Sequence, residues 1–360
     1  MEGNVLVANF SVGSGGAVFV TNNGPIILTG NVFIDNVAGG VGGGGYVSAD
    51  FGGGLILSNN TFVGNSGSSS GGIFVTSVTD PLVISGNVFR ENVALVSSQS
   101  QGGGLTAFSQ HSLEMVNNLL VNNTTSQQGA GAFIHLFSNS NQITNNTFVG
   151  NTSTGTYGLA TSQGGGMYVV TDRNEAVLNI YNNVYWQNTA AAPTHKGADF
   201  YIDDDGLNDG VGSTVRIYNN DYSNMDILRG NNLSQGSNIN SNPLIDGDYR
   251  LTPGSPCKDT GNDSAPGLPS TDLGGDPRIQ NGTVDMGAYE WGPRGLLQVT
   301  LSPQGAIDAG AQWRVDGGPW QQSGHTESLL AGSYPVEFGD VPGWTKPADQ
   351  NVAIAQGVTT

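Results

Sequence analysis

The stretch Asn60-Thr-Phe-Val-Gly-Asn65 has an asparagine at each end and a phenylalanine two residues after the first. The same pattern recurs along the first two-thirds of the chain, with Phe, Tyr or Leu at the central position. Its other copies are Asn4/Leu6/Asn9, Asn31/Phe33/Asn36, Asn87/Phe89/Asn92, Asn118/Leu120/Asn123, Asn146/Phe148/Asn151, Asn183/Tyr185/Asn188 and a weaker Asn220/Tyr222, with Met225 in place of the second asparagine. The first asparagines of successive copies lie 27 to 37 residues apart. A period in this range is typical of a solenoid of stacked repeats.

Each repeat contains two more apolar segments. One follows a glycine cluster, as in Gly15-Gly-Ala-Val-Phe-Val20, and the other precedes the next asparagine, as in Pro81-Leu-Val-Ile84. Short apolar runs bounded by turn residues are typical of strands, and no segment has a sustained helical period. Three strands per repeat, each stacked on its equivalent in the next, predict an all-β fold. We expect a right-handed parallel β-helix of about eight coils over residues 1–230.

The central aromatic residues alternate with polar neighbours, so we expect them to point inward. Burial of each one stabilises the fold by roughly 1.5–3 kcal/mol. The asparagines predict ladders of stacked amides that hydrogen bond between coils, and they also tolerate a left-handed backbone. The glycine clusters indicate positive φ where the coil bends. A binding site lined by asparagines is the alternative interpretation.

The pairing of Phe-x-x-Asn with Gly-Gly-Ala or Gly-Gly-Ile resembles the repeat of the polymorphic outer-membrane proteins, within the pectin-lyase-like β-helix class. Phe33 to Asn36 and Phe62 to Asn65 match the first element, among others. Gly15-Gly-Ala17 and Gly71-Gly-Ile73 match the second. The resemblance covers residues 1–227 and implies a β-helix. It implies no single activity, because this class includes adhesins, lyases, hydrolases and epimerases.

Residues 231–292 differ in composition, being rich in Pro, Asp and Gly. Asp272-Leu-Gly-Gly-Asp-Pro-Arg278 and Val284-Asp-Met-Gly-Ala-Tyr-Glu290 resemble the choice-of-anchor Q domain, which follows β-helix repeats in exported bacterial proteins. An open β-helix end exposes core and strand edges. We therefore expect this segment to cap the last coil, with Arg250 and Arg278 neutralising nearby carboxylates.

Residues 296–360 form a further unit. Alternating segments such as Ala311-Gln-Trp-Arg-Val315 and Gly332-Ser-Tyr-Pro-Val-Glu-Phe338 predict a small β-sandwich, complete or truncated. Its tryptophans, Trp313, Trp320 and Trp344, could stack on sugar rings, or they could form the core and rim of the unit.

The chain has 11 basic and 29 acidic residues and a formal net charge of −18. Nucleic-acid binding relies on Lys and Arg, so this balance argues against a nucleic-acid partner. No apolar stretch approaches the ~18 residues of a membrane span, which predicts no transmembrane segment. Cys257 is the only cysteine and excludes an intrachain disulfide. Met1-Glu-Gly-Asn4 leads directly into the repeats without a signal-peptide pattern, and we expect a piece of a longer protein.

The best catalytic candidates are Lys196, Asp199 and Arg216, which we expect in adjacent coils. A polysaccharide lyase needs a base and cationic groups that neutralise the substrate carboxylate, and these residue types could supply both. The competing interpretation is a solvated turn before a strand. A hydrolase needs two or three converging carboxylates, and the acidic residues of the first six coils do not recur at one position.

The acidic run from Asp203 to Gly210 is the best metal candidate. Asp203, Asp204, Asp205 and Asp209 could bind Ca²⁺, a hard cation that takes 6–8 oxygen ligands. The spacing does not follow an EF-hand loop, and a solvated acidic loop is the alternative. The four histidines are scattered, which argues against zinc.

These observations favour an exported bacterial protein, extracellular or on the outer cell surface, that acts as a binding, adhesion or structural scaffold. Its expected partner is a polysaccharide or a cell-surface protein. A lyase or hydrolase of acidic glycans is the first alternative. The second is an extracellular filament that grows by end-to-end self-association, since stacking β-helices continues their strand ladders.

Overall fold

The computed structural model describes residues 1–50, 52–94, 100–137, 140–155, 162–172, 176–193, 197–204, 213–228, 232–280 and 282–360. The chain divides into two compact units, Met1–Glu290 and Trp291–Thr360. The first unit contains the coiled repeats and the Pro- and Asp-rich segment together. Within the described ranges, no helix has the length and apolar character needed to cross a membrane.

Each of the first seven coils contributes four strands. Coils 1 to 4 contain β1 (Val5–Val7), β2 (Phe10–Ser11), β3 (Val18–Asn22), β4 (Ile26–Thr29), β5 (Val32–Ile34), β6 (Val37–Ala38), β7 (Gly45–Ala49), β8 (Leu55–Ser58), β9 (Thr61–Val63), β10 (Ser66–Gly67), β11 (Ile73–Ser77), β12 (Leu82–Ser85), β13 (Val88–Arg90), β14 (Val93–Ala94), β15 (Leu105–Ser109) and β16 (Ser112–Val116).

Coils 5 to 7 repeat this order, and coil 8 has two strands. They contain β17 (Leu119–Val121), β18 (Thr124–Thr125), β19 (Ala132–Leu136), β20 (Ser140–Thr144), β21 (Thr147–Val149), β22 (Thr152–Ser153), β23 (Met167–Thr171), β24 (Val177–Tyr181), β25 (Val184–Trp186), β26 (Thr189–Ala190), β27 (Phe200–Asp203), β28 (Thr214–Tyr218), β29 (Met225–Leu228) and β30 (Asn232–Gly236).

Equivalent strands of successive coils pair in parallel and form four sheets. Sheet I contains the strands after the glycine clusters (β3, β7, β11, β15, β19, β23, β27, β29), and sheet II those before the first asparagine (β4, β8, β12, β16, β20, β24, β28, β30). Sheet III carries the central aromatic residue (β1, β5, β9, β13, β17, β21, β25), and sheet IV is made of two-residue strands (β2, β6, β10, β14, β18, β22, β26). The parallel β-helix prediction is confirmed. Sheet IV was not predicted, because two residues are too few to show a strand period.

The inward prediction for the central aromatic residues is confirmed. Phe33, Phe62, Phe89 and Phe148 are fully buried. The first three stack along the axis with ring centroids 4.6 Å apart for Phe33–Phe62 and 5.1 Å for Phe62–Phe89, and Phe148 stacks on Tyr185 at 4.8 Å. Parallel pairing in exact register places each ring over its counterpart, as with Phe62 and Phe89. The stacks lie in one core that runs through all the coils.

Both asparagine ladders are present. In the first, Asn60 Nδ2 donates to Asn87 Oδ1 at 3.1 Å and to the Leu28 carbonyl of the preceding coil at 2.9 Å. Asn87 Nδ2 continues to Asn118 Oδ1 at 3.0 Å. The ladder extends one step beyond the sequence pattern, since Asn220 Nδ2 donates to Asn238 Oδ1 at 3.2 Å. Each amide thereby satisfies buried backbone groups as well as its neighbours.

Positive φ occurs one residue before the ladder asparagines, rather than at them as predicted. The residues immediately before the first ladder, which we call the turn column, all have positive φ: Gly3, Gly30, Asn59, Gly86, Asn117, Asn145, Asn182 and Asn219. The ladder residue must aim its amide at the next coil, so the preceding residue takes the left-handed turn. The glycine-cluster prediction holds, for example at Gly42, where an added Cβ would lie 2.0 Å from the Gly45 carbonyl oxygen.

The segment 242–290, which we call the flanking segment, lies along the side of the coils. Turn-column asparagines hold it: Asn145 Nδ2 donates to the carbonyls of Asp285 (2.9 Å) and Gly287 (3.1 Å), and Asn182 Nδ2 donates to that of Asn262 (3.2 Å). Asn117 and Asn219 make equivalent contacts with the carbonyls of Thr271 and Thr260. Residues 242–290 therefore lie beside several coils, whereas residues 232–238, which also belong to the predicted cap segment, stack on β28 and Asn220 at the end of the coils. Of the turn-column residues in coils 1 to 4, only Asn59 is an asparagine.

In coils 5 to 7, the outward face of sheet III lies under the flanking segment. Leu119, Val121 and Val149 are buried there and pack with Ile245, Tyr249, Leu273 and Tyr289. Arg278 is fully buried and pairs with Glu290 at 3.0 Å, which agrees with the prediction that it neutralises a carboxylate. Arg250 lies 3.9 Å from Asp276 and over the ring of Tyr289. Apolar contact and buried polar bonds together attach the segment.

Asp221 and Cys257 form a buried contact between coil 8 and the flanking segment. The Cys257 Sγ donates to Asp221 Oδ2 at 3.2 Å, and the Ser241 N–H donates to Oδ1 at 3.0 Å. Burial raises the pKa of the Asp221 carboxyl to about 6, although the Ser241 and Cys257 hydrogen bonds oppose the shift. Burial also raises the pKa of the Cys257 thiol, which stays protonated as the donor.

The raised pKa of Asp221 predicts that the free energy of unfolding falls as pH rises. The folded state binds the proton more tightly than the unfolded state, whose value is near 3.8, so the stabilisation is complete below about pH 4 and is lost through about pH 6. We expect a loss of about 1–3 kcal/mol between pH 4 and 7, measured by urea denaturation. Asp221→Asn should reduce this slope by the contribution of Asp221, and the remaining slope comes from other carboxyls whose pKa burial raises, such as Glu290 and Asp272. Asp248→Asn, which removes an exposed charge from the same segment, should leave the slope unchanged, and equal effects would contradict the assignment.

The second unit consists of two antiparallel sheets and one short helix. It contains β31 (Arg294–Gln298), α1 (Gln304–Asp308), β32 (Trp313–Val315), β33 (Thr326–Leu330), β34 (Gly332–Phe338) and β35 (Gln350–Ile354). β31 pairs with β33, and β34 lies between β32 and β35. Leu297, Trp313, Val336, Phe338 and Ile354 form its core. Trp313 is thus a core residue, whereas Trp320 and Trp344 are partly exposed.

Candidate functional site

Asp199 has a structural position rather than a catalytic one. Its side chain is 1% exposed, and Asn188 Nδ2 donates to Oδ1 at 3.2 Å. The other oxygen accepts from the Ser223 N–H at 2.7 Å, the Ser223 hydroxyl at 2.9 Å and the Asn224 N–H at 2.9 Å. Asp199 therefore ends the second asparagine ladder, and its carboxylate is occupied by four donors.

Arg216 is not brought together with Asp199. It lies on β28 in sheet II, where it is exposed and contacts Asn179 Oδ1 at 3.5 Å. Asp199 is buried at the start of a sheet I strand. Lys196, the third catalytic candidate, lies outside the described residues. The expected cleft that would contain Asp199 and Arg216 together is thus not formed.

Asp203 and Asp204 point in different directions, as adjacent residues of an extended strand do. Asp203 accepts from the Tyr168 hydroxyl at 3.3 Å on the outward face. Asp204 is buried and accepts from the Thr171 hydroxyl and the Ser213 N–H, both at 2.8 Å. Asp205 and Asp209 lie outside the described residues. Within the described ranges, no group of three or more His, Cys, Asp or Glu residues is arranged for a metal, and the Ca²⁺ site stays a prediction.

The outward face of sheet I carries a continuous column of aromatic side chains. Phe19, Tyr46 and Phe74 stack with centroids 4.9 Å apart in both steps. The column continues through Phe108, Phe133, Tyr168 and Tyr201, with each centroid 5.1–6.1 Å from the next. Register across the sheet explains most of the column, since Phe19 is opposite Tyr46 and Tyr46 is opposite Phe74. We call these seven rings the aromatic column.

The two ends of the aromatic column differ in exposure. Phe19 is 59% exposed, and Tyr46, Phe74 and Phe108 are half-buried. Phe133, Tyr168 and Tyr201 are buried. Phe19, Tyr46 and Phe74 stack with interplanar angles of 11° and 3°, so they present their edges to solvent. Ring edges carry partial positive charge and suit oxygen atoms of a ligand.

Polar side chains lie beside the buried end of the column. His135 Nε2 lies 2.5 Å from Asp172 Oδ2, and the imidazole stacks on Phe137 with a centroid distance of 4.2 Å. Burial raises the pKa of the Tyr168 hydroxyl, and the nearby Asp203 carboxylate raises it further. Tyr168 therefore stays neutral and acts as a hydrogen-bond donor. The arrangement offers hydrogen-bonding groups next to an apolar strip. It suits binding of a polymer that lies along the face.

Sequence reasoning did not find this face. The pairing of His135 with Asp172 was missed because the two residues are 37 positions apart, although this equals one repeat in that part of the chain. The aromatic column was also visible as the recurrence of an aromatic residue after each glycine cluster. Its outward direction could not be assigned without the register.

Comparisons of the chain with protein-family models, with curated proteins and with solved structures found no match.

Proposed function

We propose that this chain is an exported bacterial surface protein that binds an extended glycan along the aromatic column without cleaving it. The observation that supports this best is the column itself, seven aromatic side chains on one outward face. Four of them are accessible to a ligand, namely Phe19, Tyr46, Phe74 and Phe108. Exposed aromatic strips bordered by polar groups are typical of binding sites. The resemblance of the repeats to polymorphic outer-membrane proteins, and of residues 242–290 to the choice-of-anchor Q domain, supports a location at the cell surface.

The charge of the face favours a neutral glycan over an acidic one. Among the described residues, the acidic side chains on or beside sheet I in coils 6 to 8 include Asp172, Asp203 and Asp226. An acidic polysaccharide would be repelled by these carboxylates unless a cation lay between them. A lyase mechanism would need the opposite balance of charge.

The proposal is tested with a panel of neutral and acidic polysaccharides, each with and without Ca²⁺. We expect retention of at least one neutral polysaccharide on the immobilised full chain, with no new reducing or unsaturated ends. Cleavage of any substrate would replace the proposal with an enzyme, with His135 and Asp172 as the first pair to test. Failure to retain any glycan would overturn it in favour of a protein partner.

Within this assay, Phe74→Ala should weaken retention about five- to tenfold, because truncation removes an interface aromatic worth about 1–1.4 kcal/mol. The matched control is Ile56→Ala, which shortens a side chain that is 38% exposed on sheet II of the neighbouring coil. Thermal unfolding of both variants separates a lost contact from a lost fold. An equal loss in the two variants would place the ligand elsewhere.

A further inference from the structure

Two columns of side chains on the outward face of sheet III run through all seven complete coils. The strand register aligns Val5, Val32, Thr61, Val88, Leu119, Thr147 and Val184 in one column, and Val7, Ile34, Val63, Arg90, Val121, Val149 and Trp186 in the other. Both columns are mainly apolar from end to end. The same sheet face therefore has the same character in coils 1 to 3 as under the flanking segment.

The flanking segment covers only part of this face. Leu119 and Val121 are at most 2% exposed beneath the flanking segment, whereas Val5 is 68% and Val7 51% exposed. Val32, Ile34 and Val63 are half-buried. The neighbouring sheet IV adds Phe10 and Val37, which are 70% and 39% exposed. We call these seven residues of coils 1 to 3 the open valine face.

The open valine face carries no charge. All the residues of β1, β2, β5, β6, β9 and β10 are uncharged, in a chain whose net charge is −18. Surfaces depleted of charge and rich in apolar side chains are typical of the centres of protein interfaces. The exposed Asp35 lies beside these strands, in the turn between Ile34 and Val37, so an acidic partner is disfavoured and a basic partner would meet its carboxylate.

We propose that a second copy of this chain packs on the open valine face and forms a lateral dimer. In coils 5 to 7 this face is already an interface within the chain, and the open part continues it in register. A two-fold axis matches the patch with itself, and two sheet faces pack at about 10 Å as in a sandwich. The flanking segment occupies the rest of the face, so assembly stops at two copies. This proposal is independent of glycan binding.

The area of the open valine face sets the expected affinity of the dimer. Seven partly exposed apolar side chains supply on the order of 500 Å² from each copy, at about 60–120 Å² for a buried side chain. The sum of about 1,000 Å² lies at the lower limit for a specific interface. We therefore expect a reversible dimer with a dissociation constant in the micromolar range or weaker.

Sedimentation velocity of the full chain tests this, at concentrations from about 1 to 500 µM to span the expected range. The wild-type chain should shift from monomer to dimer. Ile34→Glu and Ile34→Lys should each stay monomeric, and an equal mixture of the two should dimerise again, because the opposite charges lie within the screening length of about 8–10 Å. Ile27→Glu, which changes a side chain that is 50% exposed on sheet II, should dimerise like the wild type.

Three results would overturn the proposal. The first is a wild-type chain that stays monomeric throughout. The second is a failure of the controls: Ile27→Glu disrupts the dimer as strongly as the Ile34 variants do, or the mixture of the two Ile34 variants does not recover the dimer. The third is a series of larger species, which would indicate end-to-end association through strand edges instead.

Discussion

Replacement of Asn118 by alanine is expected to lower the free energy of unfolding of the β-helix unit by at least about 3 kcal/mol. Asn118 is fully buried, and its Nδ2 donates to the Ile84 carbonyl at 2.8 Å, the Val116 carbonyl at 2.9 Å and Asn146 Oδ1 at 2.9 Å. Its Oδ1 accepts from both nitrogens of Asn87 at 3.0 Å.

Alanine at position 118 removes all five bonds. The buried Asn87 N–H loses its acceptor. The Val116 carbonyl, in contrast, keeps the Gly86 N–H, and Asn87 Nδ2 keeps the Leu57 carbonyl. Each lost bond costs about 0.5–1.5 kcal/mol, and a buried group left unsatisfied costs about 1–3 kcal/mol.

Urea denaturation followed by circular dichroism measures this loss, and Asn4→Ala is the matched control. Asn4 is the first residue of the same ladder and is exposed, with its Nδ2 donating to Asn31 Oδ1 at 3.0 Å and to the Glu2 carbonyl at 2.8 Å. Water replaces these bonds when the side chain is removed, so the expected loss is at most about 1 kcal/mol. Similar losses for the two variants would show that the ladder contributes nothing through burial.

Arg278→Met is expected to cost about 3–5 kcal/mol, because it leaves a buried charge without its partner. The Arg278 guanidinium donates to Glu290 Oε1 at 3.0 Å, to the Ala288 carbonyl at 2.8 Å and to Asn117 Oδ1. Burial lowers the pKa of this guanidinium and raises that of the Glu290 carboxyl, while their mutual attraction opposes both shifts. The pair thus depends on both members being present.

A double-mutant cycle with Glu290→Gln separates the charge from the packing. The double variant should be more stable than Arg278→Met alone, because the amide removes the uncompensated charge. Lys258→Met is the control for a surface pair, since Lys258 lies 3.7 Å from Asp259 near the surface and should change stability by less than about 1 kcal/mol. A double variant less stable than Arg278→Met would contradict the account of an ion pair.

The fold could be predicted because its determinants repeat locally. Every copy of Asn-x-Phe contains its own inward ring and its own ladder amide, so the period alone places Phe62 over Phe89. The prediction that was wrong concerns the backbone conformation of single residues. Left-handed backbone was assigned to the ladder asparagines, although the residue before each one, such as Gly30 or Asn145, takes that conformation.

The flanking segment and the candidate site could not be predicted, since both depend on contacts between distant residues. Asn145 and Asn182 are visible in the sequence as the first members of Asn-Asn pairs, but their partners follow 80 to 142 residues later.

Asp199 was a catalytic candidate expected near Lys196 and Arg216 in adjacent coils, with a solvated turn as the alternative. Asp199 is buried at the end of the second ladder, where it accepts from Asn188, Ser223 and Asn224. It follows Asn188 by 11 residues instead of by one repeat, so the ladder spacing did not reveal its place.

The attachment of the flanking segment to the turn column has a consequence for biosynthesis. Each ladder bond joins residues one repeat apart, so coils can form in succession as the chain leaves the ribosome. The bond from Arg278 to Asn117 spans 161 residues and must wait for nearly the whole unit. Until Tyr289 has been translated, Leu119, Val121 and Val149 lack their cover. The nascent chain is therefore most exposed to aggregation, and most in need of a chaperone, just before the flanking segment closes.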